Sequence, residues 1–159
     1  MKPLMLATDG SPTAKKATET AIDLARLLDT ELVIVSVWDI PYTTVGLAPM
    51  PVTGEFAMVH EKEAQEVTAE AAARAEEAGV ATRTVVLRGF PVEEICIAAE
   101  KLDARFLILG WHGWGALKRA IFGSVSTGVL HHAGCPVLVV PAEQLDGKMR
   151  ERAREEIPA

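Results

Sequence analysis

Aromatic residues are scarce in this chain, 5% of 159 residues, and there are only two cysteines, Cys96 and Cys135. Two thiols build neither a disulfide framework nor a four-ligand zinc site. A basic stripe is also missing. The 16 lysines and arginines are scattered and the formal net charge is −6. A dedicated nucleic-acid binder needs clustered positive charge to displace phosphate counterions, so that class is set aside. No apolar run is long enough to span a bilayer, and the one at the N-terminus stops at Asp9, too short for a signal peptide. What is present is globular material: 49% apolar and 24% charged residues. A chain of this length forms one domain and buries roughly two thirds of its unfolded surface, enough for a core without staples. The expectation is a cytoplasmic protein with no membrane and no nucleic-acid partner.

Strand-length apolar runs alternate with segments of helical period. Pro3–Thr8 is apolar on both sides, as a strand between two helix layers must be. Ser11 is a good N-cap and Pro12 suits the first helical position, after which Ala17, Ala21, Leu24, Ala25 and Leu28 recur at helical spacing. Glu31–Val37 is the second strand. A second helix carries Ala64, Val67, Ala71, Ala75 and Ala78 on one face and stops at Gly79. Thr82–Leu87 is the third strand. Pro91 opens a third helix with Glu93 and Glu94 in its first turn, where the macrodipole favours acids. Arg105–Leu109 is the fourth strand. Ser124 is expected to cap a short helix that Gly134 ends, and Pro136–Val140 is the fifth strand. Strict alternation implies α/β architecture: a three-layer open parallel five-stranded sheet with right-handed crossovers and helices on both faces.

Two stretches break the rhythm. Trp38–Gly54, with three prolines and two glycines, is far longer than an ordinary connection and reads equally as a lid, a partner surface or a plain surface excursion. Residues 142–159 are dense in charge and read as a solvated tail following a domain of residues 1–141.

The informative segment is Gly110-Trp-His-Gly113, nine residues, then Gly123-Ser124. Glycines directly after a buried strand let a ligand approach the backbone. Ser124 begins a helix whose first N–H groups lack intrahelical partners, and such an end attracts anions. Ser124 can also donate its hydroxyl to a phosphate, with Ser126 further in. A glycine turn and a helix N-terminus can therefore cradle a polyphosphate from two sides. Three fixed glycines and a Ser/Thr arise by chance in about one chain in 200 of this length. With strand order 3-2-1-4-5, the first and fourth strands flank the reversal where open α/β sheets bind ligands. Asp9, at the end of the first strand, would then face Gly110 and accept from a ribose hydroxyl or a base amine.

The Gly110-x-x-Gly113-(nine residues)-Gly123-Ser124 pattern resembles the ATP-binding motif of the universal stress protein family. Thr8–Ser11 (TDGS) and Val129–Val140 (VLHHAGCPVLVV) are similar to that family too, so the likeness runs from about Pro3 to Pro141. The resemblance implies a Rossmann-like fold akin to the adenine nucleotide α-hydrolases and a homodimer through the last strand. It places Ala7, Thr8 and Asp9 around the adenosine and Val37 against adenine. Gly110, His112 and Gly113 would line the ribose and phosphates, and Gly123, Ser124, Val125 and Ser126 would hold the triphosphate. The chain departs from the pattern at Trp111 and Trp114, where the family usually has small, polar or basic residues. An indole there covers a nucleotide or obstructs it. Lys118 or Arg119 would have to supply the cation missing after Gly113.

Other chemistries fit less well. A Walker loop needs Gly-Lys-Ser/Thr, and Gly115 is followed by Ala116. Adjacent His131 and His132 point about 100° apart on a helix, so with Cys135 they make a poor metal site. Cys96 reads as core, Cys135 as structural and His60 as surface. A last strand at the sheet edge would leave backbone groups along Val137–Val140 unpaired, a liability that a second copy removes. With these observations, the resemblance implies an ATP-binding switch of stress response, with Mg²⁺ held mainly by phosphate oxygens and water, and no catalytic residue for fast hydrolysis. The alternative is a protein-interaction module of the same fold with an empty nucleotide site. Nucleotidyl transfer ranks third.

Overall fold

The computed structural model describes residues 1–39, 43–45, 48–50, 54–111 and 123–141. Leu4–Ala7 (β1), Leu32–Trp38 (β2), Thr82–Arg88 (β5), Phe106–Gly110 (β6) and Val137–Val140 (β7) form one sheet, all neighbours parallel, in the order β5-β2-β1-β6-β7. Renumbered over five strands, this is the expected 3-2-1-4-5. The helices are α1 (Pro12–Leu28), α2 (Gly54–Glu77), α3 (Pro91–Lys101) and α4 (Ser124–His132).

Period-two alternation along the central strands divides the core into two layers. Leu4, Leu6, Leu32, Ile34 and Ile108 pack against Ala17, Ala21 and Ala25 of α1 and Ala71, Ala72 and Ala75 of α2. Met5, Ala7, Val33, Val35, Leu107 and Leu109 pack on the other face against Ile95, Ala98 and Ala99 of α3 and Val129 of α4. The α1–α2 layer meets the sheet largely through alanines, which brings those helices close to it, while the α3–α4 layer mixes Ala98 and Ala99 with Ile95 and Val129. The sheet residues Leu4, Met5, Leu6 and Leu32 through Ile34 are wholly buried. Burying one such side chain stabilises the fold by about 1.5–3 kcal/mol relative to leaving it exposed.

Helix boundaries follow local chemistry. Ser11 is the N-cap of α1, its Oγ accepting the Ala14 N–H at 3.3 Å, with Pro12 next. Asp29 ends α1 in the left-handed conformation and donates its N–H to the Ala25 and Arg26 carbonyls. Pro91 opens α3 with Glu93 and Glu94 in the first turn. Two boundaries differ from the sequence reading. The N-cap of α4 is Gly123, in extended conformation, and Ser124 is the first helical residue. At the other end Ala133, not Gly134, is the C-cap, and it is extended, so no left-handed glycine is needed.

The connection after β2 is not featureless. Thr43–Val45 (β3) and Ala48–Met50 (β4) pair antiparallel, Thr44 opposite Pro49. Neither strand is long enough to show alternation, and Pro49 removes a donor that only an edge or isolated strand can spare. Among the described residues no helix is long and apolar enough to cross a membrane.

Candidate functional site

Strand β1 lies between β2 and β6, so the chain reverses its direction of sheet growth between β1 and β6. Crevices at such a reversal, beyond the carboxyl ends of the strands, are where open α/β sheets take ligands. The parallel register ends with Ala7 opposite Leu109. Beyond that pair Thr8 leaves β1, while Gly110, the last residue of β6, still pairs with Val140 of β7.

The β1–α1 turn is held by its own polar groups. Thr8 donates its N–H to the Val35 carbonyl at 2.9 Å, and its Oγ1 accepts the Gly10 N–H at 3.3 Å. The Asp9 carboxylate accepts the Ser11 N–H at 3.0 Å, an Asx turn that fixes the side chain at the rim. Asp9 is exposed while Thr8 and Ser11 are buried. Gly10 has φ +74, and a Cβ there would lie 2.8 Å from the Val67 side chain, so both conformation and space demand glycine.

Gly110 has a separate reason to be glycine. A Cβ on it would stand 2.8 Å from the Thr13 carbonyl carbon and 2.9 Å from the Ala14 nitrogen. The contact is with backbone, which cannot swing away. On its Cβ side Gly110 thus faces the first turn of α1, at Thr13 and Ala14.

At α4 three independent bonds meet. Gly123 donates its N–H to the Trp111 carbonyl at 3.0 Å, and its own carbonyl accepts the Thr127 N–H at 3.0 Å. Ser126 Oγ lies 2.8 Å from the Trp111 carbonyl oxygen and 2.9 Å from that of Gly123. The first helical bond belongs to Thr127, so the N–H groups of Ser124, Val125 and Ser126 have no partner within the helix. They form a row of donors at the positive end of the α4 dipole.

Of the residues singled out from sequence, Ala7 is buried in the core and offers only main chain. Val37 is half-buried with its side chain against the α3–α4 layer. Ser124 is exposed, and Ser126 is buried with its hydroxyl directed at main-chain carbonyls rather than outward. His112 and Gly113, like Trp114, Lys118 and Arg119, lie outside the described residues. The sequence reading missed Trp38, next to Val37, over whose ring the Arg88 guanidinium sits at 5.5 Å from the centroid. Trp38 and Arg88 are direct partners of β2 and β5. Only the strand register, hidden in a single chain, could have paired them.

The cysteines lie away from this crevice. Cys96 and Cys135 both pack against the α3–α4 core layer, and burial pushes both thiols above the ordinary cysteine range. His60 sits 3.1 Å from Glu63 on α2. Among the described residues no cluster of three His, Cys, Asp or Glu is arranged to hold a metal ion.

The described fold recurs in known proteins. The chain is 37% identical over 143 residues to universal stress protein MJ0531 of Methanocaldococcus jannaschii, covering 87% of this chain and 81% of that one. A universal stress protein crystallised in complex with cAMP superposes with a TM-score of 0.68 at 23% identity, covering 89% of this chain and 98% of its own. An Arabidopsis thaliana protein of the same family with AMP bound superposes with a TM-score of 0.63 at 18% identity, covering 89% and 92%. At such identities these two likenesses speak for the fold. The model of the universal stress protein family matches residues 1–141, and the chain belongs to that family.

Proposed function

We propose that this protein binds ATP with Mg²⁺ in the crevice between β1 and β6 and serves as a nucleotide-dependent switch in stress response. The observation that carries the reading is the row of three N–H groups at Ser124, Val125 and Ser126. It stands at the sheet reversal, beside a turn that presents the Asp9 carboxylate. Amide donors and a positive helix end suit phosphate oxygens, and a rim carboxylate suits sugar hydroxyls. Family members of the same fold carrying AMP or cAMP support an adenine nucleotide as the ligand.

The donor set fits the nucleotide better than a dedicated metal site. No acidic cluster stands ready among the described residues, so Mg²⁺ would be held by phosphate oxygens and water. The amides would offset phosphate charge, and binding with little intrinsic hydrolysis is expected. The reading extends to a cytoplasmic homodimer joined through β7.

Titration calorimetry with Mg·ATP tests it. Saturable heat with one site per chain is expected, weakened at least tenfold by Ser124→Pro, which removes one amide donor at a position where proline suits the helix. Flat heats for the wild-type protein would favour the protein-interaction reading.

A further inference from the structure

We propose that Ser126 is a positioning residue for the nucleotide's phosphates. Its hydroxyl ties Trp111, just past the end of β6, to the first turn of α4 and does not itself touch the ligand. The inference rests on the nucleotide-binding reading and adds what holds its phosphate side in place.

Ser126 is 2% exposed. Its Oγ lies within hydrogen-bond distance of two carbonyls, Trp111 at 2.8 Å and Gly123 at 2.9 Å. A hydroxyl has one proton, and here both nearby oxygens accept only, so none remains for a phosphate oxygen. A serine in the first helical turn bonding back to the carbonyl three residues earlier is a common local contact. The second acceptor is different, because Trp111 is fifteen residues away along the chain.

Trp111 is also fastened on its other side. Its N–H donates to the Val140 carbonyl at 2.8 Å, at the end of β7, and its carbonyl accepts the Gly123 N–H at 3.0 Å. Trp111 and Gly123 are thereby tied together, and through Val140 Trp111 is tied to the sheet. With that link made, the amides of Ser124, Val125 and Ser126 keep a fixed direction relative to the end of β6. Without the Ser126 hydroxyl one bond between Trp111 and Gly123 remains, and the amide row has to be ordered when the ligand binds.

The test compares wild type, Ser126→Ala and Ser126→Thr in titrations with Mg·ATP and, by displacement of ATP, with adenosine. If the order kept by one net buried hydrogen bond has to be restored on binding, affinity falls by at most about fivefold. Ser126→Ala should weaken ATP measurably within that limit, leave adenosine unchanged and speed amide exchange at Gly123. Ser126→Thr, which keeps the hydroxyl, should bind ATP as wild type does. Equal ATP affinity in wild type and Ser126→Ala would overturn the proposal. So would a loss that falls equally on adenosine and ATP, since that marks a general loosening of the site. A wild-type protein that takes up no ATP would sink the nucleotide reading itself, and the tie with it. Wild-type binding alongside an indifferent Ser126→Ala would sink the tie alone.

Discussion

At the scale of single residues, the crevice is shaped as much by close packing as by ligand chemistry. Gly110 shows this most plainly, because the atoms that exclude a side chain there are the backbone of Thr13 and Ala14. Gly110→Ala should cost about 1–3 kcal/mol in urea-unfolding stability, the usual range for overpacking. A variant as stable as wild type would mean that α1 shifts freely. The thiols give a second residue-scale expectation. Burial raises the pKa of Cys96 and Cys135 in the fold, so the neutral forms are favoured there. Their contribution to stability is full below the ordinary cysteine value and is lost as pH climbs through the raised one. Denaturation midpoints measured from neutral to alkaline pH should therefore fall more steeply for wild type than for a Cys96→Ser, Cys135→Ser double variant.

The glycine and serine spacing that marks the candidate site stands out in sequence because it is rare, and Asp9 stands out because it ends an apolar run. The actual partners do not. That Ser126 turns inward to Trp111 and that Arg88 covers Trp38 are consequences of packing between segments apart in the chain, whereas the Asp9–Ser11 bond is a local Asx turn that the sequence reading did not propose.

Among the elements, caps and crossings set the frame. Ser11 begins α1 through a buried side-chain bond to Ala14, and Ser11→Ala should destabilise the protein by about 1 kcal/mol, read from the shift in thermal midpoint. The α3–α4 crossing is equally tight, since a Cβ on Gly128 would lie 2.7 Å from the Val92 side chain. That contact steadies α4, whose N-terminus presents the amide row. Each main helix and strand announced itself by period and punctuation: Pro12 and Pro91 at helix starts, β-branched runs between them. The short hairpin β3–β4 escaped because three-residue strands have no period to read and because its proline argues against a strand. The boundary of α4 was misplaced by one residue, since serine is the better N-cap by preference, yet Gly123 takes the extended conformation that binds its N–H to Trp111.

For the molecule as a whole, alternation of strands and helices together with right-handed crossovers left few topologies, and the one adopted puts β7 at an edge. Leu107 and Trp111 donate to the carbonyls of Pro136 and Val140, so by alternation the main-chain groups of Val137 and Val139 point away from β6. Leu138 is exposed beside them. If β7 pairs with a second copy, sedimentation should give twice the chain's 17.1 kDa, and Leu138→Lys should return it toward the monomer mass. A monomer at every concentration would dismiss that pairing. The Trp111–Val140 bond also links this edge to Trp111, whose carbonyl holds the Gly123 amide at the start of α4, so edge and candidate site share one hydrogen-bonded path.

The most direct measurement is residue-resolved amide NMR of the protein during addition of Mg·ATP. The three helix-start amides, Ser124, Val125 and Ser126, should show the largest shifts, joined by Thr8 and Asp9 across the crevice, while β5 at the far edge stays still. Unmoved helix-start amides at saturating nucleotide, or changes confined to another face, would contradict the account.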